Sequence, residues 1–448
     1  MKSKRVVIVL TIVGLFMATT LLPNAIAADT FNWKKCEGTK LRFVMHKIPP
    51  SKAVLETLPK FEEKTGIKVD AEILPESQFR QKVLIQFASG KSDIDVYLTM
   101  PANDAVKYYT SGWYEPLGNY LNDPSKTEPG YDYEDFAKSA REGCTIDNTI
   151  IGMPCGFSPA IFYYRKDLFE KYNVAIPQTF DDLEAAAKKL TLDTDGDGKI
   201  DIYGWSNRGK GRVATSVFSM FLFGYGGRFL DDDGNPVINS PEAVQALDLY
   251  GRLLRLYGPP GSTNFNFYEV YSLFQQGKVA MCTAGASTHK VFVDPEKSKI
   301  WDTVDYAIMP GGPNGRHSFV VVWGFSVYSG SKNKDAAWLL VQYLTDKSGM
   351  KTLLKDGGVT VARSSTWKDP DIAPITKPKK LFDLSLETVE KHGNPYWNPP
   401  AISVTELRDA LGAAIVASIL GEDVKKAADK AQAEWVRILK EERAEMKK

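Results

Sequence analysis

LRFVMHKIPPSKAVLETLPKFEEKTGIKVDAEI (Leu41–Ile73) holds two strand-like apolar runs on either side of one amphipathic helix. Leu41–Met45 is a continuous apolar run of strand length, and IKVDAEI alternates apolar and polar residues as a half-buried strand does. Between them, Ser51 stands where a helix cap is expected. Val54, Leu55, Leu58 and Phe61 fall on one helical face, and Gly66 follows as the stop. Downstream, Phe79, Val83 and Phe87 recur every four residues, and DIDVYLTM (Asp93–Met100) reads as a third strand. A β-α-β-α-β order predicts an α/β fold, a mostly parallel sheet with helices on both faces.

The same alternation continues to the C-terminus. Asp147-Asn148 between apolar runs predicts a hairpin within Glu142–Met153. Thr179 with Asp182 forms a capping-box pattern ahead of LEAAAKKL. Ser240-Pro241 opens a long helix through Leu256, with the cap and the first-turn proline where each is tolerated. A helix with Phe274 gives way at Gly277 to the strand KVAMCTA; DYAIMP and FVVVWGFSVY are further strands, and KDAAWLLVQYL is a helix. The last fifty residues are helical, with Trp435 and Ile438 facing a core.

Lys2, Lys4 and Arg5, the apolar run VVIVLTIVGLFMATTLL and the small-x-small triplet Ala25-Ile26-Ala27 read together as an export signal over residues 1–27. No cysteine stands at the cleavage point, so a soluble periplasmic or extracellular product is expected, not a lipid-anchored one. Losing the three basic residues of that segment turns the formal charge of +1 into −2. So balanced a chain has no basic footprint for nucleic acid and no strong bias toward a membrane surface. Cys36, Cys144, Cys155 and Cys282 permit up to two disulfides in an oxidising compartment, with the pairing left open.

Catalytic signatures are missing. The chain has no G-x-S-x-G elbow, H-E-x-x-H helix or G-x-x-x-x-G-K-[ST] loop, and His46, His289, His317 and His392 share no ligand spacing. DTDGDGKID (Asp193–Asp201) does resemble a calcium loop. Asp193, Asp195 and Asp197 sit at positions 1, 3 and 5, Gly198 at 6 and Asp201 at 9, but Gly204 replaces the bidentate glutamate at 12. No cofactor is required; a structural calcium at these four aspartates would act as a brace, and a solvated Asp/Gly turn is the plainer alternative.

Several segments in a fixed order resemble the extracellular solute-binding proteins of ABC importers, the large sugar-binding family that includes maltose-binding protein. They are LPKFEEKTGIKV (Leu58–Val69), SDIDVYLT (Ser92–Thr99), IGMPCGFSPAIFYYRKDLFEKYNV (Ile151–Val174), PQTFDDLEAAAKKL, FQQGKVAMCTAG, YAIMPGGPNG and the tail LGEDVKKAADKAQAEW. The resemblance implies a two-lobed periplasmic-binding-protein-like α/β fold with discontinuous lobes. Residues 38–156 with 308–350 would form the first lobe, and 157–307 with 351–448 the second. Hinge crossings are expected near Cys155–Ser158, Asp305–Ile308 and Thr345–Gly358. The implied function is capture of a small carbohydrate (a mono- or short oligosaccharide, or a polyol) between the lobes by a monomer. That monomer would deliver its ligand to ABC permease subunits without turnover.

Carried over position by position, the resemblance places ligand contacts at His46, Thr99, Asn103, Phe157 and Ser158, and at Trp205, Arg212, Gly285 and Ser287 across the cleft. Trp323 belongs to the returning segment, and Arg363 and Trp397 to the last portion. Aromatic faces stack on sugar C–H faces, while Arg, Asn and Ser read hydroxyls. AGAST (Ala284–Thr288) lacks the aromatic that closes this position in oligosaccharide binders, which argues against a maltodextrin. Two alternatives stay open: an anion or metal receptor anchored by Arg316, His317 and Arg363, and a secreted carbohydrate-active enzyme using two carboxylates.

Overall fold

The computed structural model describes residues 30–48, 50–357, 361–372 and 374–446; the export-signal segment 1–27 lies outside them. The strands are β1 (Lys40–His46), β2 (Lys68–Leu74), β3 (Val96–Thr99), β4 (Thr145–Ile146), β5 (Thr149–Ile150) and β6 (Met153–Arg165). They continue with β7 (Tyr203–Ser206), β8 (Val279–Gly285), β9 (Val304–Ala307), β10 (Ser318–Val327) and β11 (Gly393–Asn394). The opening stretch folds as its periodicity predicts. α1 (Ser51–Thr65) buries Val54, Leu58 and Phe61 and stops at Gly66, whose φ of 73° needs a residue without a Cβ. α2 (Glu76–Ala88) buries Phe79, Val83 and Phe87. Two details differ. Leu55 is left exposed at the edge of the α1 stripe. Ser51 is the first helical residue and not the cap; its hydroxyl accepts from the Ile48 amide at 2.8 Å instead.

The sheet runs β2-β1-β3-β10-β6-β8-β7, with β11 on β10 and β9 on β6. It is mixed, against the expectation of a mostly parallel sheet. β1 pairs in parallel with β2 and β3, and β7 with β8, but β10 is antiparallel to β3 and β6, and β6 to β8 and β9. The reason is topological: β10 returns from the far side of the molecule and β6 runs out to it, so each must oppose its neighbours. β6 pairs with β10 from Met153 to Pro159 and with β8 from Ala160 onward, one unbroken strand joining the two halves. Its alternate side chains serve different cores. Phe157, Ile161 and Tyr163 enter one, while Ala160, Phe162 and Tyr164 enter the other.

Local signals held where the chain itself supplies the partner. Asp147 and Asn148 both adopt positive φ in the β4–β5 hairpin. Thr179 and Asp182 complete their capping box at helix Phe180–Lys189. Ser240 caps helix Pro241–Tyr257. Trp435 is fully buried on the last helix, Val424–Glu445. All four cysteines are free thiols, and neither of the disulfides they permit is formed; burial pushes the Cys144, Cys155 and Cys282 thiols up. Among the described residues no helix is long and apolar enough to cross a membrane.

All four histidines have lowered pKa values, in each case first because burial disfavours the imidazolium. His289, bonded to the Tyr306 hydroxyl at 2.6 Å, is lowered from 6.5 to about 4. The unfolded chain therefore binds protons first. The stability that the neutral His289 ring confers is complete above pH 6.5 and is lost as pH falls toward about 4. Melting temperature measured from pH 7.5 to 4 is expected to drop across this window. His289→Asn should lower stability at pH 7.5 while making the decline with acid shallower.

Candidate functional site

The central pairing of β6 with β10 makes a floor. Ser158 lies opposite Val321 and Gly156 opposite Trp323, and Ala160 lies opposite Gly285 of β8. Residues directly paired in an antiparallel ladder point to the same side, as do residues two apart along a strand. Ser158, Phe319, Val321, Trp323 and Gly285 consequently share one face. A Cβ built on Gly285 would stand 2.7 Å from Ser158 Oγ, so glycine is needed beside that hydroxyl, and 3.7 Å from Ser287 Oγ. Trp323 is half-buried, and its Nε1–H has no partner among the described residues.

Trp397 and Asn398 close one side of this floor. Trp397 donates from Nε1 to Val320 O at 3.1 Å, with its ring 6.0 Å from Phe319. Asn398 donates from Nδ2 to Asn103 Oδ1 at 2.7 Å and to Ala102 O at 3.1 Å, tying this loop to α3 (Pro101–Thr110). A cavity of about 430 Å³ opens beside it, lined by Ala102, Asn103, Thr145, Tyr396 and Asn398 among others. That volume is within the range of small-molecule pockets.

The structure thus brings Ser158, Gly285, Ser287, Trp323, Asn103 and Trp397 into one region. The other residues expected at the site lie elsewhere. Phe157 points to the reverse side of the floor and stacks on Trp367 at 5.6 Å. Thr99 is fully buried and shares a 2.6 Å hydrogen bond with the Tyr114 hydroxyl. Trp205 is fully buried, packed in the core with its ring 6.2 Å from Phe162. His46 is buried with its ring 5.4 Å from Phe79. Arg212 is exposed and pairs with Asp409 at 3.2 Å. Arg363 is a fully buried strut: its guanidinium donates to the carbonyls of Thr345, Asp132 and Tyr131 and reaches Asp135. Gly285, Ser287 and Asn103 stand at or just past strand ends, as the pattern expects, whereas Ser158 and Trp323 lie within β6 and β10. Phe157 faces the opposite side of its strand and Arg363 satisfies backbone carbonyls, which sequence spacing does not distinguish.

Two arginines beside the region were not expected. Arg208 lies two residues past the end of β7, its guanidinium 5.5 Å from the Phe267 ring and 5.8 Å from Phe319. Arg408, on helix Val404–Leu420, lies 5.9 Å from the Trp397 ring. The position of Arg208 directly after a strand was a usable signal. Arg408, more than two hundred residues from the first crossing, offered none.

In the aspartate loop, Asp193, Asp195 and Asp197 each offer an oxygen within 4.8 Å of the others. Asp201 instead accepts from the Thr194 amide at 2.9 Å. Gly204, at the twelfth position, is a β7 residue pressed against helix Phe180–Lys189; its Cβ would stand 1.9 Å from Ala187 O. Helix-on-strand contact, which no glutamate could survive, dictates the residue there.

Residues 49–351 match the model of the bacterial extracellular solute-binding protein family. The mannitol-binding protein of Pseudomonas aeruginosa is 26% identical over 308 residues, 67% of this chain and 68% of that protein. The erythritol/L-threitol-binding protein of Mycolicibacterium smegmatis is 25% identical over 357 residues, 75% of this chain and 73% of that one. A solute-binding protein of an Agrobacterium vitis ABC transporter, solved with bound D-mannitol, superposes with a TM-score of 0.70 at 25% identity, covering 90% of this chain and 99% of that one. The match extends over two-thirds of the sequence and the two-lobed fold over nearly all of it, and the chain belongs to the bacterial extracellular solute-binding protein family.

Proposed function

We propose that this protein captures a small polyhydroxylated solute (a polyol, a monosaccharide or a short oligosaccharide) between its lobes and presents it to the permease of an ABC importer. The observation that carries this reading is Trp323. A half-buried indole with an unpartnered N–H stands on a floor that also offers the Ser158 and Ser287 hydroxyls. A ring face for C–H groups beside donors and acceptors for hydroxyls suits such a ligand. The polyols bound by the relatives support the same class.

The working unit is a monomer that leaves its ligand unchanged. Its lobes comprise residues 38–156 with 308–350, and 157–307 with 351–448, and they close by a hinge because ligand contacting both favours the closed form. Calorimetry on refolded protein against polyols, hexoses and pentoses is expected to show a ligand binding at about micromolar affinity, roughly −8 kcal/mol. Small-angle scattering should show compaction with that ligand. A flat response across this panel and across the acid and phosphate derivatives of its members would overturn the reading. The Asp193–Asp201 loop is proposed as a brace that takes calcium through Asp193, Asp195 and Asp197. Chelation should then lower the melting temperature by a few degrees and leave ligand affinity unchanged, whereas no shift would mark it as a turn.

A further inference from the structure

Helix Thr215–Gly224 follows the loop after β7, and two arginines converge on its first turn. Arg208 donates from Nη1 to Ser216 Oγ at 2.9 Å. Arg408 donates from Nε to Thr215 Oγ1 at 2.9 Å and from Nη2 to Arg212 O at 3.0 Å. The two guanidinium groups are thus anchored on consecutive hydroxyls. Neither forms an ion pair among the described residues. The nearby Asp409 is taken by Arg212, on the exposed side of the group.

This arrangement is costly in an empty protein. Like charges are held side by side at a helix N-terminus, itself an electropositive end. Burial, and then the adjacent Arg212 and Arg208, push Arg408 down to about 10, which is how strongly the site resists a further positive charge. Structural arginines in this protein are satisfied differently: Arg363 meets three carbonyls and Asp135, and Arg252 meets Glu184 and Asp248. Arg208 instead lies against the rings of Phe267 and Phe319, and Phe319 shares the floor face with Val321 and Trp323. Its remaining N–H groups are therefore beside the floor face that carries Val321 and Trp323.

We infer that the captured solute is an anionic sugar derivative, with its carboxylate or phosphoryl group held by Arg208 and Arg408 and its hydroxyl-bearing chain over Trp323. A guanidinium is well matched to either group, since its planar fork presents parallel donors. The inference rests on the cleft reading above and narrows it, and it departs from the neutral polyols of the relatives. It also moves the anion anchors away from Arg316, His317 and Arg363. Arg363 is committed to carbonyls, Arg316 reaches the Gln178 side chain, and His317 meets Asn314 O at 3.2 Å.

Calorimetry with D-gluconate, sorbitol 6-phosphate and sorbitol tests this directly, because the three share a hexitol-like skeleton and differ in the terminal group. At least one anion is expected to bind ten-fold or more tighter than sorbitol, and the tighter anion identifies the group. Raising salt from low to near-molar should weaken the anion several-fold and leave sorbitol unchanged. Arg208→Gln should remove most of the preference, and Arg212→Gln, at an exposed paired residue, should keep it. Circular dichroism establishes that each variant is folded, and the salt series on the unaltered protein does not depend on any variant. Sorbitol binding as tightly as both anions would overturn the inference and leave polyol capture standing. Failure of all three alongside the neutral panel would overturn both.

Discussion

Replacing Arg363 with Met is expected to cost about 3–5 kcal/mol of folding stability, the range for removing one partner from a buried ionic contact. The side chain is fully buried, and its guanidinium fills a cage of oxygens: Tyr131 O at 2.6 Å, Asp132 O at 2.6 Å, Thr345 O at 2.7 Å and Asp135 Oδ2 at 3.3 Å. The Phe136 ring closes the cage with its centroid 4.0 Å from the guanidinium carbon. Methionine has a comparable length but no donors, so three carbonyls and a carboxylate would be left dry and unpaired. Arg363→Lys should rescue little, since one ammonium cannot span acceptors arranged around a planar fork. Urea titration followed by circular dichroism reads the effect as a lower midpoint at unchanged slope. A loss under 1 kcal/mol would refute the strut. Normal stability with abolished ligand binding would return Arg363 to the cleft.

Trp323→Ala is expected to weaken ligand binding at least thirty-fold, about 2 kcal/mol, the effect of an anchoring aromatic. The ring is only half-buried and its N–H has no partner among the described residues, so the fold loses less from its removal than the complex does. Trp323→Phe should recover part of the affinity by restoring a stacking face without the donor. The intrinsic fluorescence response to ligand should shrink in both variants if this indole stacks on the solute as proposed. Calorimetry giving the same Kd for Trp323→Ala and the unaltered protein would remove Trp323 from the site.

Periodicity made much of the scaffold legible. Phe79, Val83 and Phe87, or the capping pair Thr179 and Asp182, declare their elements because the partners that satisfy them lie within a few residues. Part of the site was legible for a related reason. In α/β proteins ligands gather at strand ends, so Gly285, the last residue of β8, could be selected by position, whereas Ser158 and Trp323 lie inside β6 and β10. That rule fails when two neighbouring residues of one strand face opposite ways. Phe157 and Ser158 were chosen together, but the pleat sends the first to Trp367 and the second to the floor.

The sequence alone determined which segments are helix and strand and the family to which the chain belongs, since both depend on patterns local in the chain or repeated in order. Tertiary structure alone decided the sheet's mixed direction, the carbonyl cage around Arg363 and the meeting of Arg208 with Arg408. Each depends on pairing between segments far apart in the chain, such as Arg363 with Tyr131 or Thr215 with Arg408. Hydrogen bonds and charges act over a few ångströms in space, so a residue's role is set by the neighbours folding brings to it, and sequence separation carries no record of them.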